Sequence, residues 1–301
     1  MTIEKSFNLI PAVFTPMSPN GDINLSVIKS YAQHLYKNGM STIFVNGTTG
    51  ESLFLTVEER RLIMEEWSRV SPPEMQFITH VGHNCIKSAK ELAKHAQQLN
   101  VHAISAMTPI FLKPATDDDL IDFLLEIAME APDTPFYFYY IPSMSHYYLN
   151  MLEFLEKAIK RIPTLVGVKY TSEDLMEYRK CVVKFGDKLN ILFGRDELLL
   201  HGLMLGAKGA VGTNYNFIGP LFLKIVAAYQ AGQIEKARLI ADKTTAFANI
   251  FVSSGFLSIG KPYMNEFGVD CGTVRLPLKT ISDERYNKFL QDIAALELDK
   301  I

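Results

Sequence analysis

Cysteine is scarce in this chain. Cys85, Cys181 and Cys271 are its only thiols among 301 residues. Their odd number and the lack of a CxxC pair exclude a disulfide framework and a thiolate zinc cage. An excess of one charge is also missing. The formal net charge is −3, so neither nucleic acid nor a membrane surface is called for as a partner. No apolar run approaches the roughly 18 residues that span a bilayer. The first residues carry Glu4 and Lys5 and show no secretory apolar core. A Gly-Lys-Ser/Thr phosphate loop and a nucleophile elbow are absent as well. These absences lead to the expectation of a cytoplasmic protein with reduced thiols.

What is present is apolar bulk and alternation. Hydrophobic residues make up 48% of the chain, enough for a large core. Short apolar runs predict strands over Leu9–Thr15, Thr42–Val45, Gln76–Val81, Ala103–Met107, Phe136–Tyr140, Leu165–Lys169, Asn190–Phe193 and Gly209–Val211. Amphipathic stretches between them predict helices over Leu25–Lys37, Val57–Val70, Ile86–Leu99, Asp117–Ala131, Met151–Ile162, Ser172–Phe185, Glu197–Leu205 and Leu221–Ala231. Thr56 and Glu59 have capping-box spacing, and Gly39 and Gly206 suit helix stops. Strand and helix in strict alternation fit an α/β fold of the (β/α)8 TIM barrel type, with a doubly wound sheet as the alternative. The barrel is expected over 1–231. A C-terminal helical extension is expected over 232–301, with helices at Glu235–Phe251 and Arg285–Leu298.

In such a barrel the chemistry sits at the C-terminal ends of the strands, and several residues there stand out. Lys169 ends an apolar run, Leu165-Val166-Gly167-Val168. Desolvation disfavours an ammonium, so a lysine there can become a neutral amine that attacks carbonyls. A lysine that pairs with an acid or reaches solvent fits the same segment. Gly47-Thr48-Thr49-Gly50 offers N–H groups and two hydroxyls to a small anion, or simply makes a polar turn. Tyr139 ends an aromatic strand where its phenol can handle protons, whereas Tyr137 and Phe138 read as core. Asp196 and Glu197 either complement a helix dipole or bind substrate hydroxyls. Gly212-Thr213-Asn214 makes another small polar loop. His80 and His83 flank Gly82, but without a cluster of ligands they read as core or loop residues, and no metal is expected.

Taken in order, four pieces resemble the pyruvate-dependent class I aldolase family that includes N-acetylneuraminate lyase and dihydrodipicolinate synthase. They are Gly47-Thr48-Thr49-Gly50-Glu51, Tyr139 three residues before Pro142, Gly167-Val168-Lys169, and Gly209-Ala210-Val211-Gly212. The clear motifs run from Leu9 to about Asn216. The synthase pattern has an arginine where this chain has Met144, and a tyrosine, donated across a subunit interface, where it has Phe111. Both departures weaken a synthase reading. His80-Val81-Gly82, Phe111-Leu112-Lys113-Pro114, Phe193-Gly194-Arg195-Asp196-Glu197 and Arg275-Leu276-Pro277-Leu278 are similar instead to the animal-type lyases of the family.

The resemblance implies a Schiff-base cleavage of a sugar acid, N-acetylneuraminate, to pyruvate and N-acetyl-D-mannosamine. It implies Lys169 as nucleophile and Tyr139 as proton carrier, with Thr48 and Thr49 on the carboxylate. Thr171, Gly194, Asp196, Glu197, Gly212 and Thr213 would line the hydroxyl-binding end. It further implies a homotetramer and no cofactor beyond the lysine imine. A shorter 2-keto-3-deoxy sugar acid remains an alternative substrate. A non-catalytic barrel would be expected to lack Lys169 or Tyr139, and both are present.

Overall fold

The computed structural model describes residues 7–301. Eight parallel strands form one sheet: β1 (Asn8–Pro11), β2 (Thr42–Val45), β3 (Gln76–His80), β4 (Ala103–Met107), β5 (Phe136–Tyr140), β6 (Leu165–Tyr170), β7 (Asn190–Phe193) and β8 (Gly209–Gly212). Neighbours in sequence pair along the sheet, and β8 pairs with β1. The ring closes where Ala12 bridges Phe44 and the Val13 N–H donates to Phe44 O at 3.0 Å. This is a (β/α)8 barrel, not the open sheet.

The helices are α1 (Ile28–Lys37), α2 (Val57–Val70), α3 (Ile86–Gln98), α4 (Asp117–Ala128), α5 (Pro142–Ser145), α6 (Met151–Arg161), α7 (Leu175–Phe185), α8 (Leu199–Met204), α9 (Tyr215–Gln230), α10 (Ile234–Ser253), α11 (Leu257–Tyr263) and α12 (Asp283–Ala294). Thr56 and Glu59 form the expected reciprocal cap on α2. Gly39 and Gly206 stop their helices at φ 83° and 95°, a region open to glycine.

Side-chain parity divides the core in two. Ile10, Ala12, Phe44, Ile78, Ala103, Tyr137, Tyr139, Leu192 and Val211 fill the barrel interior. Their strand neighbours Leu9, Ile43, Val45, Phe138, Val168 and Tyr170 pack outward against the helices. Both faces are buried, which is why the strands read as continuous apolar runs. Gly167 fits this scheme, since a Cβ there would lie 2.6 Å from the Tyr137 ring. No helix among the described residues is long and apolar enough to cross a membrane.

Several boundaries differ from the sequence reading. β1 ends at Pro11, and the rest of Leu9–Thr15 contributes only the closing bridge. α9 starts at Tyr215 rather than Leu221. Ile218 leaves helical geometry (φ −117°, ψ 28°), so Pro220 falls in the first turn of a restarted helix, where its missing N–H costs little. The predicted Ser172 start moves to Leu175, capped by Asp174, whose carboxylate accepts the Glu177 N–H at 2.8 Å. Asp196–Leu198 is a separate 3-10 turn ahead of α8. In the C-terminal region α12 ends at Ala294, not Leu298, and α11 was not anticipated. α10 packs along α9 and on the turn that carries Asp196 and Glu197.

Candidate active site

Lys169 lies on β6 with the inward parity of Gly167, and it is only 5% exposed. Its Nζ lies 4.0 Å from the ring centroid of Phe44 and 4.0 Å from that of Tyr139. No carboxylate among the described residues makes a salt bridge to it. Burial lowers its pKa to about 7, with the Asp196 charge pulling the other way. An amine in this state is part neutral at neutral pH and can act as a nucleophile.

The other strand-end residues surround this amine. Tyr139 Oη lies 3.2 Å from Thr48 Oγ1, which joins the β5 end to the loop after β2. Burial pushes this phenol up to about 12, against the hydroxyls of Thr48 and Thr171. Thr49 Oγ1 lies 2.7 Å from Thr213 Oγ1, which joins the same loop to the end of β8. Thr171 continues β6, and its N–H donates to Tyr140 O at 2.8 Å. Gly194 packs over it so closely that a Cβ would come within 2.1 Å of Thr171 Oγ1.

Asp196 is buried, and its Oδ2 accepts the Asn214 N–H at 2.7 Å. Burial first and the Glu197 charge second raise its pKa to about 7. Gly212 makes room for it, since a Cβ at that position would meet Asp196 Oδ2 at 2.4 Å. Glu197 sits nearer the rim. Arg195 Nε donates to its carboxylate at 2.7 Å, and α10 holds its backbone through Thr245 Oγ1 at 2.7 Å. All ten predicted site residues therefore lie on the ends of β2, β5, β6, β7 and β8.

Three residues of this site were not singled out from the sequence as part of it. Phe44 forms one aromatic wall of the lysine pocket. His80 is the next inward residue of β3 after Ile78. Its ring stacks on Phe44 at 6.5 Å and meets Tyr139 edge-on at 5.7 Å. Burial and the nearby Arg60 and Lys169 hold its pKa well below the usual histidine value, so the ring is neutral. Arg60 is fully buried behind it and donates to the main-chain oxygens of His80 at 2.5 Å and Gly82 at 3.0 Å. Alternating parity along β2 and β3 is the signal that would have found Phe44 and His80. Arg60 lies on α2 and carries no such signal.

Among the described residues no cluster of histidine, cysteine or acidic side chains is able to hold a metal ion. Two hollows lie elsewhere, about 600 Å³ beside Lys224 and Lys243 and about 990 Å³ beside Ser253 and Lys288. No strand-end residue lines either one.

Comparison with known proteins agrees with this geometry. The model of the dihydrodipicolinate synthetase family matches residues 5–296. The human protein named N-acetylneuraminate lyase is 40% identical over 93% of this chain and 89% of its own length. The Xenopus tropicalis protein of the same name is 38% identical over 96% of each. The solved structure of Proteus mirabilis N-acetylneuraminate lyase superposes with a TM-score of 0.94 at 36% identity, covering 98% of this chain and 99% of that one. The chain therefore belongs to the dihydrodipicolinate synthetase family.

Proposed function

We propose that this chain is a class I aldolase that reversibly cleaves N-acetylneuraminate to pyruvate and N-acetyl-D-mannosamine. The observation that carries this reading is Lys169, a buried amine with a pKa of about 7 between two aromatic rings, within the same barrel mouth as a phenol and two threonine hydroxyls.

The neutral amine adds to the C2 ketone of the open-chain sugar acid, and water leaves to give an iminium. The C4 hydroxyl then gives up its proton. The electron pair of the C3–C4 bond flows to the iminium, which becomes an enamine, while C4 becomes the aldehyde of N-acetyl-D-mannosamine. The enamine takes a proton at C3, and water hydrolyses the iminium to release pyruvate and free Lys169. The imine supplies the electrophile, so the scheme draws on no cofactor.

Tyr139 carries the C4 proton. A phenol at about 12 stays protonated in the free enzyme, so it passes its own proton toward the threonine side as it receives the substrate's. Thr48 and Thr49 hold the carboxylate, and this orientation contributes several kcal/mol to lowering a barrier. Thr171, Gly194, Asp196, Glu197, Gly212 and Thr213 line the end that receives the sugar hydroxyls. A second-carboxylate substrate of the synthase kind is disfavoured, because Met144 brings no charge and Phe111 no hydroxyl.

The enzyme is read as a cytoplasmic homotetramer. Phe111 and Leu112 are 78% and 77% exposed on one loop, and apolar side chains presented this way favour a protein partner. The test of function is incubation with pyruvate and borohydride followed by peptide mass spectrometry. A reduced pyruvyl group on Lys169 is the expected result. No adduct, or one on another lysine, removes the imine mechanism. Pyruvate release across sialic acids and shorter 2-keto-3-deoxy acids then tests the substrate.

A further inference from the structure

Glu51 closes the threonine loop in left-handed backbone, at φ 56°. Its N–H donates to Thr48 O at 3.0 Å, so any displacement of Glu51 passes directly to Thr48. Its side chain is fully buried. One carboxylate oxygen lies 2.5 Å from Lys261 Nζ, and the other accepts the Arg275 N–H at 2.9 Å. Lys261 stands far along the chain on α11, and its side chain is fully buried too. Its ammonium also donates to Thr273 O at 2.6 Å. A second tie runs alongside. The Arg275 guanidinium donates to both oxygens of Glu59 at 2.7 and 2.8 Å and to Phe54 O at 2.7 Å.

Left-handed backbone at a non-glycine residue costs energy, and so does taking two charges out of water. A buried ion pair is a poor source of net stability but a good way to fix a geometry. The strain and the pair coincide at the residue that ends the threonine loop.

We propose that Lys261 is a positioning residue, which through Glu51 holds the Thr48–Thr49 loop in the form that receives the keto-acid carboxylate. This rests on the reading of that loop as the carboxylate site. The C-terminal helices then do more than cover the barrel, because one of them sets the affinity for the pyruvyl end of the substrate.

The test uses the full chain with pyruvate as the probe. Half-saturation is read from borohydride trapping at Lys169, and the KM for N-acetyl-D-mannosamine is read in the condensation direction. In Lys261→Met the pyruvate half-saturation is expected to rise about tenfold or more while the aminosugar KM stays within about twofold, since small displacements at a binding loop are costly. A pair that merely staples two elements together would move both values or neither. Glu51→Gln keeps the acceptor for the Arg275 N–H and gives the same reading if Lys261→Met does not fold. The double variant leaves no lone charge and serves if both single variants unfold. Normal pyruvate half-saturation in a folded variant overturns the proposal. A wild-type chain that pyruvate and borohydride fail to label overturns the aldolase reading instead, so the two failures are distinct.

Discussion

Among the described residues two lysines are buried, and their surroundings differ in one respect. Lys169 meets two aromatic rings and makes no salt bridge, and its pKa falls to about 7. Lys261 meets a carboxylate at 2.5 Å and a carbonyl at 2.6 Å. Burial lowers its pKa as well, but the Glu51 charge opposes that fall. In the proposed reading the same residue type serves as a nucleophile where the fold withholds a partner and as a strut where it supplies one. What separates the two is the neighbour, since burial is common to both.

The comparison is broken or sharpened most directly by removing each amine. Lys169→Met is expected to abolish cleavage, by at least about 10⁴-fold in kcat/KM, because the covalent route is lost. The same change should stabilise the fold near neutral pH. The folded pKa of Lys169 lies below its unfolded value, so the native state bears the cost of an ammonium fully below about pH 7. That cost fades as pH rises toward 10.5. The gain in unfolding free energy should be a few kcal/mol at pH 7 and shrink in alkali, as urea titration at several pH values would read. Lys261→Met should act with the opposite sign. It strands the Glu51 carboxylate, and breaking a buried pair costs about 3–5 kcal/mol. Equal signs for the two substitutions in the same titration would break the contrast.

Tyr139→Phe comes next in size. Imine formation needs the amine and the carboxylate loop, whereas cleavage needs the proton carrier. Borohydride trapping with pyruvate should therefore persist, while cleavage falls about 10²-fold or more. Loss of trapping would instead give the hydroxyl a part in imine formation itself, since Phe keeps the ring that stands 4.0 Å from Nζ and removes only the group 3.2 Å from Thr48 Oγ1.

The barrel was legible because its strands are buried on both faces. Thr42-Ile43-Phe44-Val45 and Phe136 to Tyr140 read as apolar runs whose ends the structure leaves unchanged. The strand-end rule then picked out Lys169 and Tyr139 among many polar residues, and Thr48, Thr49 and Thr213 with them. Pro220 misled because a proline in a first turn and a proline that ends a helix look alike in sequence. Gly260 and Pro262 hid α11 for a different reason, since both residue types disfavour a helix interior and here fall inside its seven residues. His80 and Phe44 were visible through parity had it been followed along each strand. The Lys261–Glu51 pair was not, since no local pattern links a charge on α11 to one beside β2. Long-range ion pairs are a property of the closed fold.

The finest adjustment of the contrast lies between Lys169 and Asp196. Among the described residues Asp196 is the acid whose charge raises the Lys169 pKa, so it partly undoes what burial does. Replacement by Asn keeps an acceptor for the Asn214 N–H, which Oδ2 now receives at 2.7 Å, and removes the charge. Only the neutral amine adds to a ketone, so the rate of imine formation should rise with pH through about 7 in the wild type. Without the neighbouring charge the ammonium is less favoured, and that acid limb should move to lower pH. Pyruvate with cyanoborohydride is the suitable probe, because it has no sugar tail for Asp196 to bind and the reductant survives mild acid. Faster trapping near pH 7, where Asp196 with its pKa of about 7 still carries part of its charge, is the expected outcome, each rate taken against its own alkaline plateau. A limb that stays in place or moves upward would mean that the Lys169 amine is set by the two rings alone.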